Sequence, residues 1–490
     1  MRRLQCGHPL NVFPLGNAFL DDSAQQRRSQ GLGNLQRLGD ERLLQLLRWL
    51  DVSSLGRCCQ CSCMMRGFAA AEELWQPLVM NQVLAAAGSE NCCRDGFNGF
   101  SWKGRTWREA FLRSRSGPPP PRTARTPRIY SDVLYRGFFY AATELNPSWL
   151  STETIQRVSH DISPHDFLER FEQQSCPVIV EGCVKHWPAM HWSRDTLVSR
   201  FGAVPFAAGA ADFPLELWYD YAQSNTDDVP LFIFDKYFAS RAPELLKDYE
   251  VPKIFHGRDL FNFLGEQRPD FRWLLIGFRR SGSKWHLDPN KTCAWNAVVR
   301  GRKRWLLLPP GCPPPGVHPS KDGAEVTQPV SLLEWFSNFY EELQRHVEAN
   351  PAWELKEGTC GAGDLVFIPS GWWHCVLNLD DDTIAVTQNY ASETHVSSVR
   401  RFLSERRDQV SGVSSARDRE TLAERFDEAL SRHRPDLLMA NDTLRKAPAD
   451  SKVPMASGFS FWDHLRSTGK SLSFEERDQK RPRLTEGSEQ

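Results

Sequence analysis

Two stretches restrict this 490-residue chain more than any other. One is Trp285-His286-Leu287-Asp288. The other runs from Gly363 to His374 and reads Gly-Asp-Leu-Val-Phe-Ile-Pro-Ser-Gly-Trp-Trp-His. Side chains two apart on a β-strand point to one face, so His286 and Asp288 offer an imidazole and a carboxylate side by side. His374 opens a further strand-like run, His374 to Leu379, and supplies a third ligand. Two histidines and one carboxylate on one side of an ion leave the other side open, an arrangement that suits Fe(II) and leaves room for O2 and a co-substrate. His-x-Asp spacing alone also describes a surface histidine beside a turn carboxylate, so the neighbouring segments have to decide.

After the first pair come two apolar runs, Thr292–Val299 and Arg302–Pro309, separated by Arg300-Gly301. Apolar strands flanking a two-residue turn with glycine predict a hairpin. With Val299 opposite Arg302, Asn296 and Lys303 fall on one face of that hairpin. A lysine on the inner face of a sheet is costly unless it meets an anion, and a dicarboxylic co-substrate is such an anion. The alternative is an outward lysine in a basic Arg300–Arg304 turn, the usual place for lysine.

These segments resemble the JmjC family of Fe(II)- and 2-oxoglutarate-dependent oxygenases, nearest the bifunctional arginine demethylase and lysyl-hydroxylase branch. The resemblance rests on Arg280-Ser281-Gly282-Ser283, His286-Leu287-Asp288-Pro289, Ala294-Trp295-Asn296-Ala297, Gly301–Trp305, Pro369–His374 and Thr383–Ser392, in order, over roughly residues 129–400. It implies a mostly β fold with flanking helices, the double-stranded β-helix of the cupin or jelly-roll type. His286, Asp288 and His374 match the iron ligands. Lys303 and Ser283 match the groups that hold the distal carboxylate of 2-oxoglutarate, and Asn296, Thr387 and Asn389 match further co-substrate or pocket residues. Ser283 is out of phase with His286 on a single regular strand and fits only if regular pairing starts after Lys284. The implied cofactors are Fe(II), 2-oxoglutarate and O2, with ascorbate in support. The implied substrate is a protein Lys or Arg side chain, histones being one example, either hydroxylated or freed of an N-methyl group. Lys284 and Trp285 stand where relatives have smaller residues and are expected to narrow or recharge the substrate entrance.

Upstream, Leu43, Leu44, Leu47 and Leu50 form a helical stripe, Asp51 stands at a helix cap, and a third apolar run ends at Leu74–Leu78. This succession resembles an F-box, which implies binding to the Skp adaptor of cullin–RING ubiquitin ligases. It departs from the pattern at Gly39, where a proline is usual, and in its Cys-rich middle. A generic helical hairpin packed on the oxygenase gives the same pattern. Cys58, Cys59, Cys61 and Cys63 are too close together for paired zinc ligands and read as small buried helix residues. The expected organisation is a disordered segment 1–33, an F-box-like all-α unit 34–114, a Pro-rich linker 115–128, the oxygenase 129–400, C-terminal helices 401–445 and a disordered tail 446–490.

Formal charge is −1, with 60 basic and 61 acidic residues, so composition gives no strong nucleic-acid signal. No run reaches the ~18 apolar residues of a membrane span, and no apolar stretch follows Met1-Arg2-Arg3 as a secretory signal requires. The 13 cysteines form no regular framework, which fits a reducing nuclear or cytoplasmic setting. Lys480-Arg481-Pro482-Arg483 has the composition of a nuclear import signal. Two competing functions are a substrate receptor whose β domain only binds, and a metal-free or sugar-binding cupin. The first leaves the intact triad unused, and the second leaves Lys303 and Asn296 without a role.

Overall fold

The computed structural model describes residues 7–87, 102, 106–116, 127–350 and 352–438, and these belong to one compact unit. Most of the Pro-rich linker, the tail from 439 and the basic cluster at 480–483 lie outside the described residues. No helix among the described residues is long and apolar enough to cross a membrane.

Two sheets face each other. The larger has nine strands in the order Gln156–Ser159, Val178–Glu181, Leu365–Ile368, Cys293–Arg300, Thr383–Tyr390, Arg272–Gly277, Ile233–Asp235, Pro205–Ala208 and Ala211–Pro214. The smaller has four, in the order Lys356–Cys360, Lys303–Leu308, Trp373–Asn378 and Gly282–His286. Strand alternation sorts the side chains into three layers. Trp295, Ala297, Phe367, Ile384 and Val386 leave the outer face of the large sheet for the main core. Trp285, Leu306, Leu308, Trp373 and Cys375 leave the outer face of the small one to pack under the helix Leu332–Ala349. Ala294, Val298, Val366 and Ile368 meet Trp305, Leu307 and Val376 between the sheets. This is the expected double-stranded β-helix.

The hairpin expectation fails. Cys293–Arg300 pairs with Leu365–Ile368 and Thr383–Tyr390, whereas Lys303–Leu308 pairs with Lys356–Cys360 and Trp373–Asn378. The two apolar runs never pair with each other. The turn at Gly301, with φ of 72°, hands the chain from one sheet to the other. A Cβ there would come within 2.7 Å of the Thr383 hydroxyl, and glycine also adopts the left-handed backbone without penalty. Period-two alternation is the same for a hairpin and a sheet-to-sheet crossover, so the pattern does not separate them.

The N-terminal region is built into the fold. Residues expected to be disordered form the helix Ala24–Leu32, and Val12–Phe13 pairs in parallel with Ile129–Tyr130. Tyr130 donates to Asp21, which also pairs with Arg27. Leu43, Leu44 and Leu47 are buried as the stripe predicts, and the Asp51 side chain accepts from the Ser54 amide. These leucines share one core cluster with Trp218, Trp295 and Tyr390, so the helices and the β domain are continuous. Of the cysteine group only Cys59 is buried, and Cys61 is exposed.

Candidate metal and co-substrate site

His286 ends the strand Gly282–His286 and stands directly opposite His374. Their rings lie 4.1 Å apart between centroids. Asp288 follows just beyond the strand, at the start of the short turn Pro289–Lys291. That turn contains two consecutive residues with positive φ, Asn290 and Lys291. Asparagine tolerates this backbone region better than most residues, and the Asn290 amide is clamped in both directions by the Ser411 backbone. The clamp fixes the loop that presents Asp288.

The ligand atoms of His286, Asp288 and His374 lie within 4.8 Å of one another, the only such metal-type cluster among the described residues. His374 Nε2 is 4.0 Å from Asp288 Oδ1. Each imidazole is oriented by its other nitrogen: His286 Nδ1 donates to the Lys284 carbonyl at 2.7 Å and His374 Nδ1 to the Trp372 carbonyl at 3.1 Å. This fixes the tautomer and leaves both Nε2 lone pairs for a metal. Burial, aided by neighbouring His286, lowers the His374 pKa to about 4, which keeps the ring neutral as a ligand must be. Asp288 Oδ2 is buried and has no hydrogen-bond partner. A buried carboxylate oxygen without a partner is costly unless a cation meets it, so the residues fit a divalent iron.

The same interior holds the residues expected around a co-substrate. Lys303 is 3 % exposed, and no carboxylate pairs with it among the described residues. Burial lowers its pKa to about 8. Asn296 and Thr387 stand directly opposite each other on the inner face of the large sheet, with Asn389 opposite Ala294. Thr387 donates to the Trp295 carbonyl and Asn389 to Thr292, whereas Asn296 Oδ1 is buried without a partner. Asn296 and Lys303 therefore face one space from opposite sheets rather than from one hairpin.

Ser283 reaches the same face through an irregularity. His374 pairs with His286, but Val376 pairs with Ser283, so two intervening residues on one strand, Lys284 and Trp285, face one on the other, Cys375. This bulge absorbs the half-period that puts Ser283 out of phase with His286. Gly282 makes it possible: its φ is 146°, and a Cβ would sit 2.0 Å from the Val376 carbonyl. Trp285 corrects an expectation. It is 1 % exposed, on the outer face, edge-on to Trp335, and does not narrow an entrance. Two polar groups go unnoticed in the sequence. Trp305 shares its face with Lys303, stacks near His374 and has an unpartnered indole N–H. Asn378, opposite Lys303, has an unpartnered Oδ1. Counting two residues onward from Lys303 would have found the first. His160, His165, His186, His191 and His256 are all exposed and away from the site.

Two facing sheets with an interior His-Asp-His cluster define a cupin-type metal-dependent oxygenase scaffold. The family model described as a cupin-like domain matches residues 217–395. The chain is 39 % identical over 468 residues to the arginine-specific demethylase JMJ22 of Arabidopsis thaliana, spanning 94 % of this chain and 88 % of that one. It is 36 % identical over 255 residues to the bifunctional arginine demethylase and lysyl-hydroxylase psr-1 of Caenorhabditis elegans, covering 49 % and 62 %. Over 202 residues it is 30 % identical to the human 2-oxoglutarate and iron-dependent oxygenase JMJD4, covering 38 % and 43 %. The chain belongs to the JmjC family of Fe(II)- and 2-oxoglutarate-dependent oxygenases.

Proposed function

We propose that this protein is a 2-oxoglutarate- and Fe(II)-dependent oxygenase acting on Arg or Lys side chains of proteins, by hydroxylation or by demethylation of an N-methyl group. The observation that carries the reading is a buried lysine without an anionic partner among the described residues, in the same interior as the His-Asp-His cluster. His286, Asp288 and His374 would hold the iron. When bound, iron supplies O2 activation coupled to decarboxylation of 2-oxoglutarate to succinate. Lys303, with Ser283, is assigned the distal carboxylate, and Asn296 the neighbouring polar edge. Thr387 and Asn389 brace that wall through Trp295 and Thr292. The sheets exclude water, which strengthens each of these contacts. The test is succinate formation by the full chain with Fe(II), ascorbate and 2-oxoglutarate, with and without Arg- and Lys-containing peptides.

A second role is compatible with this one. Trp49 is 90 % exposed and Leu46 47 % exposed beside the F-box-like stripe. Exposed large apolar groups that cluster mark interaction sites. We assign them to docking of a Skp-type adaptor, tested by pull-down of that adaptor with the full chain and with Trp49→Ala. The basic cluster at residues 480–483 supports a nuclear location, tested by imaging a tagged chain with and without it.

A further inference from the structure

Among the described residues, the buried indole N–H groups of Trp187, Trp218, Trp285, Trp305 and Trp372 have no hydrogen-bond partner. A buried tryptophan N–H usually finds one. Trp187 and Trp218 belong to the main core, and Trp285 to the core under the helix Leu332–Ala349. Trp305 and Trp372 lie between the two sheets. Trp372 precedes the strand Trp373–Asn378, whereas Trp305 sits within the strand Lys303–Leu308.

The place of Trp305 is set by register. Lys303, Trp305 and Leu307 alternate onto one face of their strand, and Leu307 stands directly opposite His374. At about 3.3 Å per residue, Trp305 is roughly 7 Å along the strand from Lys303 and as far from the level of His374. Its ring lies 6.1 Å from the His374 imidazole, with planes 27° apart. Trp305 is 2 % exposed, so bulk water does not serve its N–H. The acceptors of the same interior do not serve it either: Asp288 Oδ2, Asn296 Oδ1 and Asn378 Oδ1 are themselves buried without partners. An N–H donor left unpaired between a buried ammonium and a set of metal ligands is complementary to an oxyanion.

We propose that the Trp305 indole N–H donates a hydrogen bond to 2-oxoglutarate, at the carboxylate next to the oxo group. This rests on the proposed oxygenase reading and adds to it a residue that tells co-substrate from product. The charged carboxylate is a stronger acceptor than the oxo oxygen beside it. Lys303 is assigned the distal carboxylate, which succinate retains. The carboxylate assigned to Trp305 leaves as CO2, so succinate no longer presents it. Lys303 therefore holds both molecules, and Trp305 favours the one that has yet to react.

The test uses the full chain with Zn(II) in place of Fe(II), so that binding is read without turnover, and with its tryptophans isotope-labelled at the indole nitrogen. Nuclear magnetic resonance follows the indole N–H cross-peaks, and loss of one in Trp305→Phe assigns it. The expected result is a downfield proton shift of that cross-peak with 2-oxoglutarate and none with succinate. By calorimetry, Trp305→Phe should weaken 2-oxoglutarate about tenfold, the worth of one hydrogen bond, and leave succinate within about twofold. Trp218→Phe removes an equally unpartnered indole from the main core and should change neither affinity. A merely structural role for Trp305 would weaken both ligands alike, which overturns the proposal. The wild-type titration depends on no variant folding: if 2-oxoglutarate binds and no indole cross-peak moves, the proposal is also overturned. Failure of the wider reading looks different: the wild type binds neither ligand, and its iron-loaded form makes no succinate.

Discussion

Lys303 and Asn378 stand directly opposite each other on neighbouring strands, both buried, yet the lysine ammonium has no carboxylate partner among the described residues. An isolated buried cation is tolerated where a ligand brings the missing charge. Replacing Lys303 with Ala should raise the KM for 2-oxoglutarate by about ten- to a hundredfold, the worth of one charged hydrogen bond. Succinate formation at varied 2-oxoglutarate measures it. An unchanged KM would remove Lys303 from the co-substrate site.

The same lysine gives a pH dependence. Its folded pKa, about 8, lies below the usual 10.5 because burial penalises the charged form. Binding of a dicarboxylate needs the protonated amine, so affinity should weaken by up to about tenfold per pH unit above the folded pKa. Stability moves in the opposite direction. Between these two pKa values the unfolded lysine keeps its proton and the buried one has lost it, so the ligand-free fold gains stability as pH rises. Calorimetric titration with 2-oxoglutarate and thermal denaturation of Lys303→Met, which should lose both trends, check the pair of effects.

His286→Ala and Asp288→Ala each remove one of three ligands. Both should abolish 2-oxoglutarate turnover and lower the iron retained on purification, measured by elemental analysis. The carbonyls of Lys284 and Trp372 that orient the imidazoles are backbone groups, so these substitutions leave the orienting groups in place. Full activity in His286→Ala would overturn the metal assignment.

Arg304 and Glu357 form an ion pair at 2.6 Å on the outer face of the small sheet, with both side chains almost wholly buried. Tyr340 and Gln344 donate to the same carboxylate. Glu357→Ala leaves the buried Arg304 guanidinium with only the Thr152 carbonyl at 2.7 Å and the Glu153 carboxylate at 3.4 Å, and should cost about 3 kcal/mol of stability, read from denaturant unfolding. The helix Leu332–Ala349 is the element expected to loosen first.

The triad was legible because its residue types are rare together and their spacing matches two strands. Strand alternation also placed Thr387 and Asn389 on one face correctly. The hairpin was misread because Gly301 serves a crossover as well as it serves a tight turn. The bulge at Ser283 was visible only as a conflict of phase, since one extra residue leaves no compositional mark beyond Gly282. The ordered N-terminus was missed because Val12 and Leu32 belong to a core made with partners far along the chain, Ile129 among them. Local polarity does not report such contacts. That continuity also means that a fragment beginning at residue 129 would lose the strand partner of Ile129–Tyr130.

The most direct measurement is therefore made on the full chain. It is incubated with Fe(II), ascorbate and 2-oxoglutarate, with arginine- and lysine-containing peptides, methylated and unmethylated, and succinate and peptide mass are followed together. The account predicts succinate formed together with a peptide mass change, a gain of about 16 Da for hydroxylation or a loss of about 14 Da for demethylation. Iron bound to the His286–Asp288–His374 site with no succinate formed would contradict it.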